Sequence, residues 1–492
     1  MPWPRQPVIY EINTWIWIGE LRKKYERGIH LGNVPASEWD AIADLNLDGV
    51  WLMGVWERSP AGQNISATKP ELVGEYKREL PDFTDADVVG SPYCVHEYKV
   101  DAYLGGPAGL AAARAQLRSR GLALLLDFVP NHVAPDHAWT VTHPEYFIRG
   151  NEEDCRRAPD EFFRAGTAII ANGRDPYFAP WSDTAQLNAF NPGLRQAALQ
   201  TVNSISSQCD GVRCDMAMLL MNRIFAQTWG GRAGSIPVTD YWVDLIATIR
   251  KKYPAFLFVA EAYWDLESEL IAQGFDYCYD KRLYDRLVHE NADSIHAHLV
   301  ADVTYQEHMV RFLENHDEPR AAAVFSPARE RAAAVALMTL PGAKLLHEGQ
   351  LEGRKVHVAV QLGRRPDEAV NAELRQFYRK LLDLVKETSL RAGNWILCSV
   401  CGWSDNQSCS NLLAWRWNVS GQGHVVVVNF CDQTSQGRVQ LPLSELRDRQ
   451  WELQDLLSGT IFSHRDGNEM FEQGLFVDLP AWGAHWFRLQ GM

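Results

Sequence analysis

Short apolar runs alternate with longer amphipathic segments along most of the chain, and this alternation predicts repeated strand–helix units. The run "LALLLDFVPNH" is apolar at nearly every position, which is typical of a parallel strand buried on both faces. The preceding segment, "GPAGLAAARAQLRSRG", has apolar residues at helical spacing and ends at Gly. The predicted strands are "PVIYEINTW", "GVWLMGVW", "LALLLDFVPNH", "DGVRCDM", "AFLFVAEAYW", "FDYCYD", "MVRFLENHD" and "AKLLHEG".

About eight such β/α units fit between Val8 and Glu387. Repeated strand–helix alternation indicates a parallel sheet, and this number of units indicates a closed barrel. An open doubly wound sheet is the alternative, but no Gly-rich phosphate-binding motif follows the first strand.

Two stretches interrupt the alternation. The segment from Val133 to about Phe190 is rich in Pro, His, Asp and Gly, and we predict an irregular inserted domain. After about Ser389 the pattern changes to short strands separated by turn residues, which predicts an antiparallel β-sandwich. The predicted domains are a barrel in two parts, 1–132 and 191–388, an inserted domain, 133–190, and a C-terminal β-domain, 389–492.

Arg213 and Asp215 interrupt the apolar part of the fourth predicted strand. Arg213 and Asp215 are two positions apart, so strand alternation directs both side chains to one face. One interpretation is a structural ion pair, which makes the burial of both charges tolerable. The other is that Asp215 is a reactive carboxylate that Arg213 keeps ionised.

Other polar residues stand at strand ends, where barrels place their active sites. Each of them alone fits a capping or ion-pairing role, but together they bring several carboxylates and histidines to one rim. Paired carboxylates can carry out glycosyl transfer unaided, so we expect no catalytic metal. These residues are Asp127, Asn131, His132, Glu261, Asn315, His316 and Asp317.

The amino-acid composition argues against some classes of binding partner. The net charge of −14 argues against a nucleic-acid groove or an anionic membrane surface as a partner, since both require basic patches. The 18 Trp and 16 Tyr suit core packing, but flat aromatic faces also stack on sugar rings. No apolar run is long enough for a membrane span, no signal-peptide pattern is present, and the 9 Cys lack metal-ligand spacing. We therefore expect a cytoplasmic protein.

Four segments, "LLLDFVPNH", "DGVRCDMAM", "FVAEAYW" and "FLENHD", resemble the signature segments of the α-amylase family of glycoside hydrolases in order and approximate spacing. The resemblance covers essentially the whole chain, and "GSPYCVHEY", "DTAQLN" and "LPGAKLLHEGQ" are similar to the minor motifs of the family. It implies a (β/α)8 TIM barrel with an inserted domain after strand three and a C-terminal antiparallel β-domain.

The resemblance implies catalytic roles for three carboxylates. Asp215 would be the nucleophile, Glu261 the general acid/base, and Asp317 the carboxylate that binds hydroxyls of the reacting sugar ring. Arg213 would hold Asp215 ionised. The other residues implied in substrate binding are Tyr93, which would stack on that ring, His132 and His316, which would hydrogen-bond to it, Asp127, which would support the site, and Arg320, which would reach the next ring outward.

These roles match the chemistry of retaining glycosyl transfer. A nucleophile with a low pKa and an acid with a raised pKa must lie about 5–5.5 Å apart. Arg213 favours the first, and the apolar strand before Glu261 favours the second. We therefore expect an enzyme that acts on α-1,4-glucans or maltooligosaccharides. A glucanotransferase shares the covalent intermediate and stays an alternative; a non-catalytic carbohydrate-binding protein would have lost a catalytic carboxylate, and all three are present.

The chain departs from the family pattern beside the nucleophile. Many members have Lys and His three and four positions after it, where this chain has Met218 and Leu219. In those members the His supplies a backbone ligand to a structural calcium ion, and Asn131 stands where the family has a side-chain ligand. The inserted segment offers Asp154, Asp160, Asp175 and Asp183. Because the polar pair is lost, we expect no bound metal, stability unaffected by chelation, and a different acceptor subsite.

Overall fold

A computed structural model describes residues 2–492. Eight parallel strands form a closed barrel in which each strand lies beside its neighbours in the chain and the first lies beside the last. The predicted (β/α)8 barrel is confirmed. The barrel strands are β1 Val8–Asn13, β2 Gly49–Met53, β3 Ala123–Phe128, β4 Gly211–Cys214, β5 Leu257–Ala260, β6 Tyr277–Tyr279, β7 Met309–Arg311 and β8 Ala343–His347.

Burial on both faces explains why these strands read as continuous apolar runs. Every residue of β3, β4 and β5 is buried. The register aligns Asp127 of β3 with Arg213 of β4, and Arg213 with Val259 of β5. Residues at the carboxyl ends of these three strands therefore emerge side by side.

The helices begin where the sequence offers caps. For example, the Asn191 side chain accepts a hydrogen bond from the Leu194 backbone N–H, and Pro192 fills the first helical position. The α-helices are Thr14–Tyr25, Ala36–Ala43, Pro60–Thr68, Pro70–Glu79, Gly106–Ser119, Trp139–Thr142, Glu152–Arg157, Pro192–Gln208, Asn222–Trp229, Tyr241–Lys252, Glu267–Ala272, Lys281–His289, Ala292–Leu299, Val303–Glu307, Ala321–Val324, Pro327–Thr339, Ala372–Thr388 and Gly467–Glu472.

The segment after β3 is more regular than the sequence predicts. Phe162–Ala165 and Ala168–Ala171 form an antiparallel hairpin, in which Gly166 adopts a positive φ of 58°. Ala185–Gln186 pairs with His132–Val133, which follows β3 directly. Strands of two to four residues are too short to show an alternating pattern, so the expectation of an irregular segment is wrong for these parts. Outside this segment, Trp56–Arg58 pairs antiparallel with Val95–Val100.

The C-terminal strands form two antiparallel sheets, as predicted. These strands are β9 Asn394–Cys398, β10 Val400–Cys401, β11 Leu412–Val419, β12 Gln422–Asn429, β13 Ser435–Val439, β14 Gln450–Asp455, β15 Ile461–Asp466, β16 Leu475–Leu479 and β17 Ala484–Gly491. One sheet has the order β9-β11-β12-β17-β14-β15 and the other β10-β13-β16, and apolar residues of both sheets share one core.

The chain separates into two compact units. The first comprises Ile9–Tyr279 and Val356–Asp367 together with the N-terminal residues, and the second comprises Arg5–Val8, Asp280–Lys355 and Glu368–Met492. Within residues 2–492, no helix has the length and apolarity required to cross a bilayer. All cysteines of the chain are free thiols.

His424 on β12 is a buried histidine whose protonation opposes folding. Burial, together with the charge of Arg488, lowers its pKa from 6.5 to about 4. Because the folded pKa lies below the unfolded value, the neutral imidazole contributes stability above pH 6.5 that is lost as the pH falls toward 4.

We expect the His424→Gln variant to be less sensitive to acid than the wild type. Between about pH 7.5 and 4.5, the wild type should lose about 2.5 kcal/mol more unfolding free energy than the variant. Urea titrations at the two pH values measure this difference. His464→Gln, which changes an exposed histidine, should keep the wild-type acid dependence. Equal losses in the wild type and His424→Gln would contradict the prediction.

Candidate active site

One buried arginine joins two buried carboxylates in the first unit. Nη1 of Arg213 donates to Oδ1 of Asp215 at 2.6 Å, and Nη2 lies 2.8 Å from Oε2 of Glu261. All three side chains are buried, and the two carboxylates follow the adjacent strands β4 and β5. The ion pair that the sequence allows is therefore present, and it includes a second carboxylate.

Aromatic rings surround the guanidinium group of Arg213. Its central carbon lies 5.1 Å from the ring centre of Tyr93, 5.4 Å from that of Trp51 and 5.7 Å from that of Tyr279. Burial opposes the charge, but nearby negative groups, with Glu261 the strongest, raise the pKa of Arg213 well above its usual range. Arg213 is therefore a permanent cation at the ends of β4 and β5.

The two oxygens of Glu261 have different partners. Besides Arg213, Oε2 accepts a hydrogen bond from the Met216 backbone N–H at 2.6 Å, and the Tyr263 hydroxyl donates to Oε1 at 2.8 Å. Met216 has a positive φ of 42°, which is uncommon for a residue other than Gly. Sequence reasoning missed both partners. Tyr263 was detectable, because it stands two positions after Glu261.

Asp127 links the end of β3 to the segment that follows β2. Its Oδ2 accepts a hydrogen bond from the Gly54 backbone N–H at 2.9 Å, and its carbonyl accepts one from Trp56 Nε1 at 2.8 Å. Both contacts are buried and fix backbone near the carboxyl ends of β2 and β3.

His132 is buried directly after β3. Its ring centre lies 5.3 Å from that of Trp181, and the Tyr93 backbone hydrogen-bonds with its side chain. Burial lowers the pKa of His132 to about 4, although the charge of Asp183 opposes this shift. The imidazole is therefore neutral at neutral pH and has one donor and one acceptor nitrogen.

In the second unit, Asn315, His316 and Asp317 form a turn after β7. Asn315 Oδ1 accepts hydrogen bonds from the backbone N–H groups of Asp317 and Glu318, both at 2.9 Å. His316 Nε2 lies 3.0 Å from Asp317 Oδ2. The Asp317 side chain is 41% exposed, so a ligand can reach its carboxylate.

Arg320, in the same unit, is buried among protein groups. It donates hydrogen bonds to Glu314 and, at 2.9 Å, to the Glu348 carbonyl, and it lies 2.7 Å from Nδ1 of His347. These contacts fix the segment after Asp317. The expected contact of Arg320 with an outer sugar ring stays a prediction.

An exposed aromatic group in the first unit was missed by sequence reasoning. Tyr177 and Phe178 are 59% and 71% exposed, and the Tyr177 ring meets the Trp264 ring edge-on at 4.8 Å. Asp175 Oδ1 accepts hydrogen bonds from the N–H groups of Tyr177 and Phe178 at 2.6 and 2.9 Å, which fixes this turn. Trp264 follows Glu261 closely, but Tyr177 is distant in sequence, so only the fold reveals the contact.

Replacing Arg213 by Met removes the cation that joins the two carboxylates. We expect Arg213→Met to lower the unfolding free energy by about 3–5 kcal/mol, because buried charge is left without its cation. In an Asp215→Asn, Glu261→Gln background the same replacement should cost much less. Urea titrations of all four proteins measure this coupling, and equal losses in both backgrounds would show that the charges are not coupled.

Comparison with known proteins gives two relatives by sequence. The α-amylase MalA of Haloarcula japonica is 26% identical over 382 residues, which cover 74% of this chain and 46% of MalA. The 1,4-α-glucan branching enzyme GlgB of Corynebacterium jeikeium is 23% identical over 523 residues, covering 94% of this chain and 68% of GlgB. The chain therefore spans about half the length of MalA. No protein-family model matches the sequence.

The fold matches solved structures over nearly the full chain. The maltogenic α-amylase AmyB from Thermotoga neapolitana superposes with a TM-score of 0.69 at 18% identity, covering 99% of both chains. At this identity the likeness concerns the fold. This chain is thus similar in sequence to an α-amylase and to a branching enzyme, and it shares the closed-barrel fold of solved α-amylases.

Proposed function

We propose that the protein is a retaining glycoside hydrolase that cleaves α-1,4-glucosidic bonds in maltooligosaccharides or larger α-glucans. The observation that carries this proposal is the single guanidinium of Arg213, which binds both Asp215 and Glu261. Double displacement at a sugar carbon requires two carboxylates, one as nucleophile and one as acid/base, and neighbouring strand ends hold two such groups together here.

In the first step, Asp215 attacks the anomeric carbon while Glu261 protonates the departing glycosidic oxygen, so that a covalent glycosyl–Asp215 ester forms. Because Oε2 of Glu261 accepts hydrogen bonds from Arg213 and Met216, its other oxygen, Oε1, carries the transferred proton. The Tyr263 hydroxyl, 2.8 Å away, can keep donating its hydrogen bond to Oε1, so that the acid proton is free to point to the glycosidic oxygen. In the second step, Glu261 deprotonates the water that hydrolyses the ester.

The other proposed site residues bind the reacting sugar ring. Tyr93 stacks on it, the neutral imidazole of His132 exchanges hydrogen bonds with its hydroxyls, His316 also hydrogen-bonds to them, and the accessible carboxylate of Asp317 accepts hydrogen bonds from them. Asp127 acts through the backbone that it fixes. The net charge of −14 suits a neutral glucan, and the similarity to MalA and AmyB, both named as α-amylases, supports this substrate class.

A glucanotransferase is the second candidate, and the exposed rings of Tyr177 and Phe178, with Trp264 edge-on to Tyr177, favour it. Such rings suit an acceptor sugar near Glu261, which would capture the glycosyl group in place of water. Met218 and Leu219 are buried and offer no polar group to that acceptor. The relative GlgB, named as a branching enzyme, supports the same candidate.

One time-resolved experiment separates these functions. Proton NMR of maltoheptaose digestion should show the α-anomer first and only products shorter than the substrate, because double displacement retains configuration. Products longer than the substrate would instead assign the transferase. The β-anomer released first would exclude the mechanism, and unchanged substrate would indicate a non-catalytic carbohydrate-binding protein.

Asp215→Asn keeps the shape of the proposed nucleophile but removes its charge. We expect kcat to fall at least about a thousandfold, because the substitution removes the attacking group. Asp478→Asn, on the exposed face of β16, is the control and should keep wild-type turnover. Circular dichroism should show that both variants are folded. An Asp215→Asn enzyme within tenfold of the wild type would remove Asp215 from the mechanism.

A further inference from the structure

Gln186 occupies a buried position between the inserted segment and the barrel. It pairs with His132 in the short antiparallel ladder that follows β3, and its side chain is fully buried. A buried amide must satisfy both its donor and its acceptor. The partners of Gln186 therefore describe the environment at this junction.

Three oxygen atoms converge on the amide nitrogen of Gln186. Nε2 lies 2.9 Å from Asn131 Oδ1, 3.0 Å from the Asn131 carbonyl and 2.9 Å from the Leu187 carbonyl. An amide nitrogen has only two hydrogens, so three acceptors exceed what it can satisfy with separate bonds. Oxygens directed at a common centre in this way form an environment that suits positive charge.

Asn131 is the position where family resemblance implies a calcium ligand, but the residues here do not fit that ion. Calcium takes six to eight oxygen ligands, several of them carboxylates. The converging oxygens are all uncharged, and Asn131 Oδ1 is already bound to the hydrogen-bearing Nε2 of Gln186. A calcium ion at this point would have to displace that amide.

The acidic residues of the inserted segment bind other groups, have a raised pKa or are exposed. Asp154 binds Arg232 through both carboxylate oxygens, at 2.8 and 2.9 Å, and Asp175 accepts backbone hydrogen bonds from Tyr177 and Phe178. Burial raises the pKa of Asp183, which disfavours its charged form. The remaining acid, Asp160, is exposed.

We propose that the Gln186 amide takes the place of a structural cation: it binds the oxygens that a cation would bind and ties the inserted segment to the end of β3. The chain is therefore stable without calcium. This inference depends on the hydrogen bonds of Gln186 and is independent of the proposed enzymatic activity.

Chelation of the wild-type protein is the first test. We expect the melting temperature to be the same in excess EDTA and in excess calcium chloride, since a ligand that does not bind adds no stability. Metal analysis of the dialysed protein should find far less than one calcium per chain. A fall of many degrees in EDTA that calcium restores, or one retained calcium per chain, would overturn the proposal.

Gln186→Glu is the second test, because it directs a carboxylate at the same oxygens. In EDTA the variant should melt several degrees below the wild type, and added calcium should recover most of that loss. Gln350→Glu is the matched control: Gln350 is also buried, and its amide donates to the Tyr378 hydroxyl. This control should be destabilised without responding to calcium.

The responses to calcium decide the outcome. A Gln186→Glu variant with the same melting temperature in EDTA and in calcium would show that these oxygens do not form a cation-shaped site. An equal recovery in Gln350→Glu would show that calcium acts non-specifically, and it would also overturn the proposal. If Gln186→Glu does not fold, the metal content and chelation response of the wild type remain decisive.

Discussion

The buried charge of Arg213 is the interaction on which the rest of the candidate site depends. A guanidinium in the barrel interior requires negative partners, and the register of β4 and β5 supplies Asp215 and Glu261 together. Those partners in turn fix their surroundings, because Glu261 also binds the Met216 backbone and the Tyr263 hydroxyl. The register of the parallel strands therefore determines both how these strands pack and where the two carboxylates lie.

The balance of charge in this cluster favours the proposed reaction. One guanidinium with two carboxylates leaves a net charge of −1 in a buried place, and uptake of one proton by Glu261 removes it. The proposed first step requires this singly protonated state, with Asp215 as the anion beside Arg213 and Glu261 as the acid. Covalent bonding of Asp215 to the sugar removes the other negative charge, so that Glu261 can lose its proton and act as a base.

The sequence predicted the barrel and the C-terminal sheets because their signals are local and long. Apolar runs such as β3, repeated between capped helices, leave few alternatives to a parallel barrel. The neighbouring positions of Asp215 and Glu261 also followed, since strand order fixes which ends are adjacent. The hairpin after Phe162 did not follow, because its strands are too short to carry a pattern. The partners of Arg320 were likewise hidden, because a sequence does not show whether a charged side chain points to a ligand or to Glu314.

Contacts between distant segments account for what sequence reasoning missed. Gln186 looks like an ordinary polar residue in "DTAQLN", and only the fold brings the two oxygens of Asn131 to its amide beside the carbonyl of the adjacent Leu187. The same principle governs this junction and the Arg213 cluster: buried oxygens need positive partners, which side chains of this chain supply. At the carboxylates the partner is a full charge, because the oxygens are anionic. At the junction the oxygens are neutral, and the partial charge of an amide is sufficient.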